Sequence, residues 1–506
     1  MESTAATSTA PPWCSPASAT SGIDGASPVC GTLLQWSAMT TRRPQQGDFQ
    51  IEPPVARHAD VVPAVEDRSY IVFVLGALVM ALLGGFLLSV VISLSLSGTI
   101  SWGEERLPQM TQAHGWAQLQ GWAGLFVAGM ALRLMPRFAG RPPIRTNVTL
   151  PVFVLLFFAA AGRAVAQSSP AGTAAETLLL LAGLAGSAGC AAVGIAVGYT
   201  LARGRKRPEP WRYFAWAGAA WWLVWAAMVL IAAIEGARND AFVPARLDDA
   251  MAWAVMLGAV GNFVFSVQSR SVPVFFGRRL PSRRKLAAPG ALLNIGALLA
   301  IASRLPLHGP VRERLLGAGL ALAGLGLLWL APVAGSLWGE AKRLRPRARA
   351  AARYVLAANV SVALAGVLLA WAGANSLISG EFESFAARDA ARHALGLGMI
   401  TMLIIGMAQL VSPVFALERA EARPAGLEDH LAWWSLVAAI VLRVAAGLAY
   451  GHMDSEPRMH IAAAAGVLAW LGLGMFAFSV ARAVRKEPRM KALLASAAGV
   501  SETERP

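Results

Sequence analysis

The chain has 506 residues but only seven histidines, and two of these stand where ligand chemistry is possible. His114 lies in QAHGWAQLQGW and His393 in ARHALGLGM, each read as opening a long apolar stretch. The offset from His114 to Pro136 (136 − 114 = 22) nearly equals that from His393 to Pro413 (413 − 393 = 20). Two neutral imidazoles at one membrane depth, on facing helices, are what bis-histidine ligation of a haem iron requires. Taken singly, either residue reads as an interfacial polar group bonded to water or lipid. The ligand reading rests on the pair. Gly115 and Gly121 beside the first histidine, and Gly396 and Gly398 beside the second, leave room for a flat macrocycle or for a close helix.

Three arginines form a second pattern. Arg163 in AAGRAVA, Arg304 in IASRLPL and Arg443 in VLRVAAG recur at nearly one interval (304 − 163 = 141 and 443 − 304 = 139), each near one end of an apolar stretch. A long side chain there can snorkel to the interface. Snorkelling gives no reason for recurrence at a fixed interval. The functional reading is that the guanidiniums converge and bind carboxylates such as haem propionates in bidentate geometry. His452, in YGHMD beside Met453 and Asp454, is a candidate for a further metal ligand or a solvated loop residue. His308, His430, His460 and His58 give weaker signals.

The elements that must position these residues repeat with the same interval. GLFVAGMALRLMPRFAGR, GNFVFSVQSRSVPVFFGRR and TMLIIGMAQLVSPVFALER each run an apolar stretch into Pro-x-Phe. Their prolines, Pro136, Pro273 and Pro413, are evenly placed (273 − 136 = 137 and 413 − 273 = 140). So long a period implies three copies of a sizeable unit rather than a solenoid. Apolar residues make up 56% of the chain and charged ones 14%, against roughly 25% charged in ordinary soluble domains. Twelve stretches have the length of about 20 residues that a helix needs to cross hydrocarbon. They fall at about 70–99, 114–136, 148–166, 175–201, 211–235, 248–272, 286–304, 312–338, 352–379, 391–415, 430–450 and 459–481. The sequence therefore predicts an all-α polytopic membrane protein, with twelve transmembrane helices in three pseudo-repeated four-helix units at 70–201, 211–338 and 352–481. The membrane domain spans 70–485, between an N-terminal tail at 1–69 and a C-terminal tail at 486–506.

Lys and Arg concentrate in the loops after even-numbered stretches. These hold Arg137, Arg141 and Arg145; Arg203, Arg205, Lys206 and Arg207; Arg278, Arg279, Arg283, Arg284 and Lys285; and Lys342, Arg343, Arg345, Arg347 and Arg349. Because cytoplasmic loops retain positive charge, both termini are expected in the cytoplasm and the histidines near the periplasmic face of a bacterial inner membrane. The net charge of +15 is then explained by loops facing anionic membrane lipid, without a nucleic-acid partner. Residues 1–69 are rich in Ala, Ser, Thr and Pro, lack periodicity and read as disordered. Met39 offers an alternative start. Cys14, Cys30 and Cys190 supply neither a disulfide framework nor a CxxC site. Polar residues within the stretches, among them Asn262, Gln268, Asn294 and Asn359, read as isolated, and the tryptophans read mostly as interfacial anchors. There is no Walker loop, no HExxH and no GxSxG setting.

HGWAQLQGWAGLFVAGMALRLMPRFAG, NFVFSVQSRSVPVFFGRR and ARHALGLGMITMLIIGMAQLVSPVF resemble the signature helices of NnrS proteins, over about 70–485. That family consists of twelve-span bacterial membrane proteins associated with nitric oxide metabolism and described as containing haem and copper. At lower resolution the chain is similar to haem-copper oxidase subunit I, whose low-spin haem takes a histidine from helices 2 and 10. The resemblance implies haem b with axial ligands His114 and His393, and partners among respiratory or denitrification proteins. The departures are specific. Gln112 stands where NnrS proteins often carry the first histidine of HxH, Ala391 stands where the oxidases ligate the haem of the binuclear centre, and the sixth and seventh stretches hold no histidine. A haem–copper pair reducing oxygen or nitric oxide is not expected from this ligand set, and copper lacks a convincing one. A cofactor-free anion transporter or channel, lined by the three arginines, is the competing reading; an assembly factor for respiratory complexes is the third.

Overall fold

The computed structural model describes residues 69–206, 208–305, 309–335, 346–379, 385–411 and 427–497. The tail at 1–69, with His58, Cys14, Cys30 and Met39, lies outside these residues apart from Ser69, as do His308 and Pro413. Among the described residues the fold is all-helical and has no strands. In hydrocarbon every backbone polar group must be satisfied within its own segment, and a long apolar helix does this. Eleven helices are long and apolar enough to cross a membrane. They are α1 (Ser69–Leu96), α3 (Thr146–Ser168), α4 (Thr173–Ala202), α5 (Arg212–Ala237), α6 (Ala245–Phe275), α7 (Arg283–Ala302), α8 (Gly309–Val333), α9 (Arg349–Ser379), α10 (Phe385–Leu410), α11 (Leu427–Leu448) and α12 (Ser455–Arg485).

A further long helix, α2, runs through residues 107–139 as the continuous segments Leu107–Trp116, Ala117–Gly124 and Leu125–Ala139. It is not among those eleven. Its first half carries Gln109, Gln112, His114, Gln118 and Gln120. It therefore starts seven residues before the apolar stretch read from sequence, and α10 starts six residues before it. His114 and His393 do not open their helices; they lie two turns inside them. A proline in the first turn, Pro108, starts α2 where apolarity gives no signal.

Burial separates two kinds of helix. The most apolar windows of α6 and α10 are 83% and 89% buried, against 39–56% for the other spans. In α2 the run from Leu125 to Pro136 is buried throughout. These three helices form the interior, and the others present apolar surface outward, as with Leu83 and Ile195 at 60% and 62% exposure. Such outward apolar faces suit lipid rather than water. Neighbouring outer helices approach through small residues: a Cβ on Gly324 of α8 would lie 2.5 Å from the backbone nitrogen of Ala370 on α9. Helix α12 packs back on α1.

Both described Pro-x-Phe segments have one local structure. The helix does not stop at the proline; it ends at a glycine four residues on, Gly140 at φ 70° and Gly277 at φ 67°. Arg141 N–H then donates to Pro136 O and Arg278 N–H to Pro273 O, both at 2.7 Å. This is a left-handed glycine cap. The α pitch also widens into π-helical turns in the three interior helices, at Ala117–Gly124, Ala254–Ala259 and Ala394–Thr401, and in α1 at Met80–Leu87. The three interior π segments begin at the same intervals as the prolines (254 − 117 = 137 and 394 − 254 = 140).

Polar residues that read as isolated are paired across helices. Gln268 donates to Asn359 at 2.9 Å, Asn262 and Asn294 bond each other at 3.0 and 3.1 Å, and Trp221 donates to Asn294 at 2.7 Å. Not all tryptophans are interfacial anchors. Trp122, Trp222, Trp225 and Trp253 are fully buried, while Trp434 is exposed.

Candidate functional site

The first turns of α2 are fixed by a glutamine ladder. Gln112 donates to Val243 O at 2.6 Å and accepts from Val243 N–H at 3.0 Å, while Gln167 of α3 donates to Gln112 at 2.8 Å. Two residues on, His114 sets its Nδ1 2.9 Å from Gly85 O, in the π segment of α1. A carbonyl can only accept, so Nδ1 carries a proton, and in the neutral ring Nε2 then keeps a lone pair. On α10 the Nδ1 of His393 lies 2.8 Å from the carbonyl of Asp389, again leaving Nε2 as an acceptor. The Asp389 carboxylate is 3.4 Å from the same nitrogen and receives Arg443 of α11 through two bonds of 2.8 and 3.2 Å.

Both histidines line one cavity of about 540 Å³. Its walls are apolar, with Phe86, Leu119, Trp122, Leu397 and Ile400; Asp248, Asp389, Arg392, Arg443 and Arg458 add charge. A neutral imidazole whose other nitrogen is held by a carbonyl or carboxylate is the usual form of a metal-ligating histidine. Gly115 and Gly396 also line the cavity, and a Cβ built on either meets nothing within 4 Å. Gly398, one turn from His393, is different, since its Cβ would lie 2.4 Å from Ser361 Oγ. Gly115 and Gly396 therefore keep space open, whereas Gly398 and Gly121, whose Cβ would lie 2.7 Å from Met80 Cβ, serve helix packing. Two imidazole acceptors, open glycine faces and apolar walls fit a flat macrocycle with two axial ligands.

The three periodic arginines have separate surroundings, each with an aspartate from an interior helix. Arg163 bonds Asp248 at 2.8 Å and Gln167 at 3.0 Å, and its guanidinium lies 4.2 Å over the Trp116 ring. Arg304 pairs with Asp249, and Arg443 with Asp389. Arg443 lines the large cavity, Arg304 lines a smaller one beside it, and Arg163 lines neither. Sequence reasoning missed the aspartates and their second set of partners, Arg388 and Arg392. A signal was present, since Asp249 and Asp389 are separated by the same interval as Pro273 and Pro413.

Of the remaining histidines, His452 is exposed and does not line the large cavity. His460 bonds Thr99 at 2.9 Å and His430 lies 3.2 Å from Arg353. In α6 the positions one proline interval from each histidine (114 + 137 = 251 and 393 − 140 = 253) hold Met251 and Trp253, both fully buried. Among the described residues no three His, Cys, Asp or Glu side chains form a metal-binding group.

An apolar helical exterior around three buried helices, with a histidine-flanked cavity in the interior, defines a multi-pass membrane protein with an internal cavity. More narrowly, the chain belongs to the NnrS family: the family model described as NnrS protein matches residues 70–489. No curated protein matches the chain.

Proposed function

We propose that the protein is a twelve-span haem protein of a bacterial inner membrane, holding haem b between His114 of α2 and His393 of α10. The observation carrying this reading is that two histidines from different interior helices face one cavity, each with Nδ1 engaged and Nε2 left as an acceptor. When bound, the haem would supply a one-electron redox couple. The chain's own residues do the rest. Gly85 O and the Asp389 backbone fix the ring orientations, Phe86, Trp122 and Ile400 limit water, and Arg443 supplies a guanidinium for a carboxylate at the mouth while held by Asp389. Arg163 and Arg304 add positive charge at the same end of the bundle.

The reading includes α2 as the twelfth span and three four-helix units, supported by the shared intervals of prolines, π segments and aspartates. It places the basic loops and both termini in the cytoplasm and the cavity toward the periplasm. Family membership favours a role in nitric oxide or nitrosative-stress handling beside respiratory or denitrification proteins. Catalytic reduction at a haem–copper pair is not part of it. The test is the visible spectrum of detergent-purified protein after haem-replete expression. A Soret band lost in the His114→Ala, His393→Ala double variant is the expected result; no band in wild type, or one indifferent to both changes, refutes the proposal.

A further inference from the structure

Among the described residues, Asp248, Asp389, Arg392, Arg443 and Arg458 are the charged side chains that line the large cavity, and all but one are paired. Asp389 accepts two bonds from Arg443, at 2.8 and 3.2 Å. Asp248 accepts from Arg163 and from the Trp116 indole, both at 2.8 Å, and Arg392 pairs with Asp249. Arg458, in the first turn of α12, is the exception. Its Nε is buried with no hydrogen-bond partner, and its guanidinium lies 4.9 Å over the Tyr450 ring. Among the described residues it makes no ion pair; Asp454 and Glu456, beside it in the chain, are exposed. A guanidinium does not give up its proton, so Arg458 brings a positive charge to the cavity without a counter-charge.

The rest of α12 shows what kind of ligand would meet that charge. Ala462, Ala465 and Ala469 also line the cavity, and they follow Arg458 by four, seven and eleven residues, which is one face of a helix. This face passes from a cation, with the hydroxyls of Tyr450 and Ser455 in the same lining, to three turns of small apolar residues. We propose that Arg458 receives a carboxylate arm of an amphipathic ligand whose apolar body fills the cavity; resting on the haem reading above, that arm is a porphyrin propionate. The fork of a guanidinium matches the two coplanar oxygens of a carboxylate. Arg443 already gives two nitrogens to Asp389, so the free donors of Arg458 make it the stronger anchor. Contact with the Tyr450 ring steadies the Arg458 side chain, so less freedom is lost when the carboxylate arrives.

The test is quenching of tryptophan fluorescence by metal-free protoporphyrin IX and by its dimethyl ester, each titrated into the purified full chain in detergent. The porphyrin has no iron, so axial ligation plays no part, and the ester differs only at its carboxylates. Detergent takes up acid and ester unequally, but alike for every variant, so the change in their affinity ratio from one variant to another isolates the arm. From wild type to Arg458→Gln the acid-to-ester ratio should fall about five- to tenfold, as for a partly exposed charge-assisted bond. Arg458→Lys, which keeps the charge, should retain most of it. A ratio unchanged in Arg458→Gln, or no saturable quenching by the acid in wild type, overturns the proposal. If Arg458→Gln does not fold, Arg458→Met, which keeps an apolar stem against Tyr450, decides by the same ratio. The His114→Ala, His393→Ala variant keeps the wild-type ratio, so a failure of the axial-ligand reading is told apart from a failure of this one.

Discussion

Asp249 and Asp389 are each the fifth residue of an interior helix, α6 and α10; Asp249 meets Arg304, two residues past the end of α7, and Asp389 meets Arg443 within α11. Four residues on, the helices diverge: α10 has His393 and α6 has the fully buried Trp253. With a histidine in place, the carboxylate stands beside an imidazole that faces an apolar cavity. With tryptophan there, the space is filled, the indole supports Arg392, and the carboxylate gathers three guanidiniums. One scaffold position thus stands beside an imidazole in one helix and among guanidiniums in the other. The residue one turn along decides which.

The largest expected effect is the complete loss of the Soret band when both histidines become alanine, and no comparable loss follows any change around Asp249. Next is Asp249→Asn, which leaves a buried guanidinium cluster without its shared carboxylate and should cost about 3–5 kcal/mol of stability. Thermal unfolding should show a smaller loss for Asp389→Asn, where a single arginine is affected; equal losses would break the contrast. For haem affinity the order reverses. Removing the carboxylate beside His393 should weaken cofactor binding about 10–100-fold, while Asp249→Asn leaves it unchanged, as read by haem titration. The smallest effect concerns glycine. Gly396→Ala meets open space and should stabilise cofactor-free protein by about 0.5–1 kcal/mol, whereas Gly398→Ala meets Ser361 and destabilises it.

Much of the architecture was legible, for a physical reason. Hydrocarbon demands long apolar helices, and eleven of the apolar stretches are described spans within a few residues of their read limits. The histidine pair was legible from its distance to the prolines. Helix starts were less so, because the opening turns of α2 and α10 are polar: LPQMTQA and FAARDAAR carry no apolar signal. The aspartates were not legible because Asp248, Asp249 and Asp389 lie in polar opening turns, and only the packed structure brings arginines of other segments to them. Which tryptophans are buried was not legible from position along the helix, since burial depends on which helices turn inward.

The π segments carry a consequence for how the site could change. In α2 and α10 the widened turn follows the histidine along the helix, and such a turn amounts to one residue inserted into an α-helix. The two halves of α10 therefore differ in angular phase by about 100°, the rotation of one residue. Deleting one residue between Ala394 and Thr401 would restore the common pitch and swing His393 out of the cavity while the half after Thr401 kept its seat. The inserted residue acts as a phase setting, and a ligand can be aimed or lost through it without altering a single side chain of the pocket.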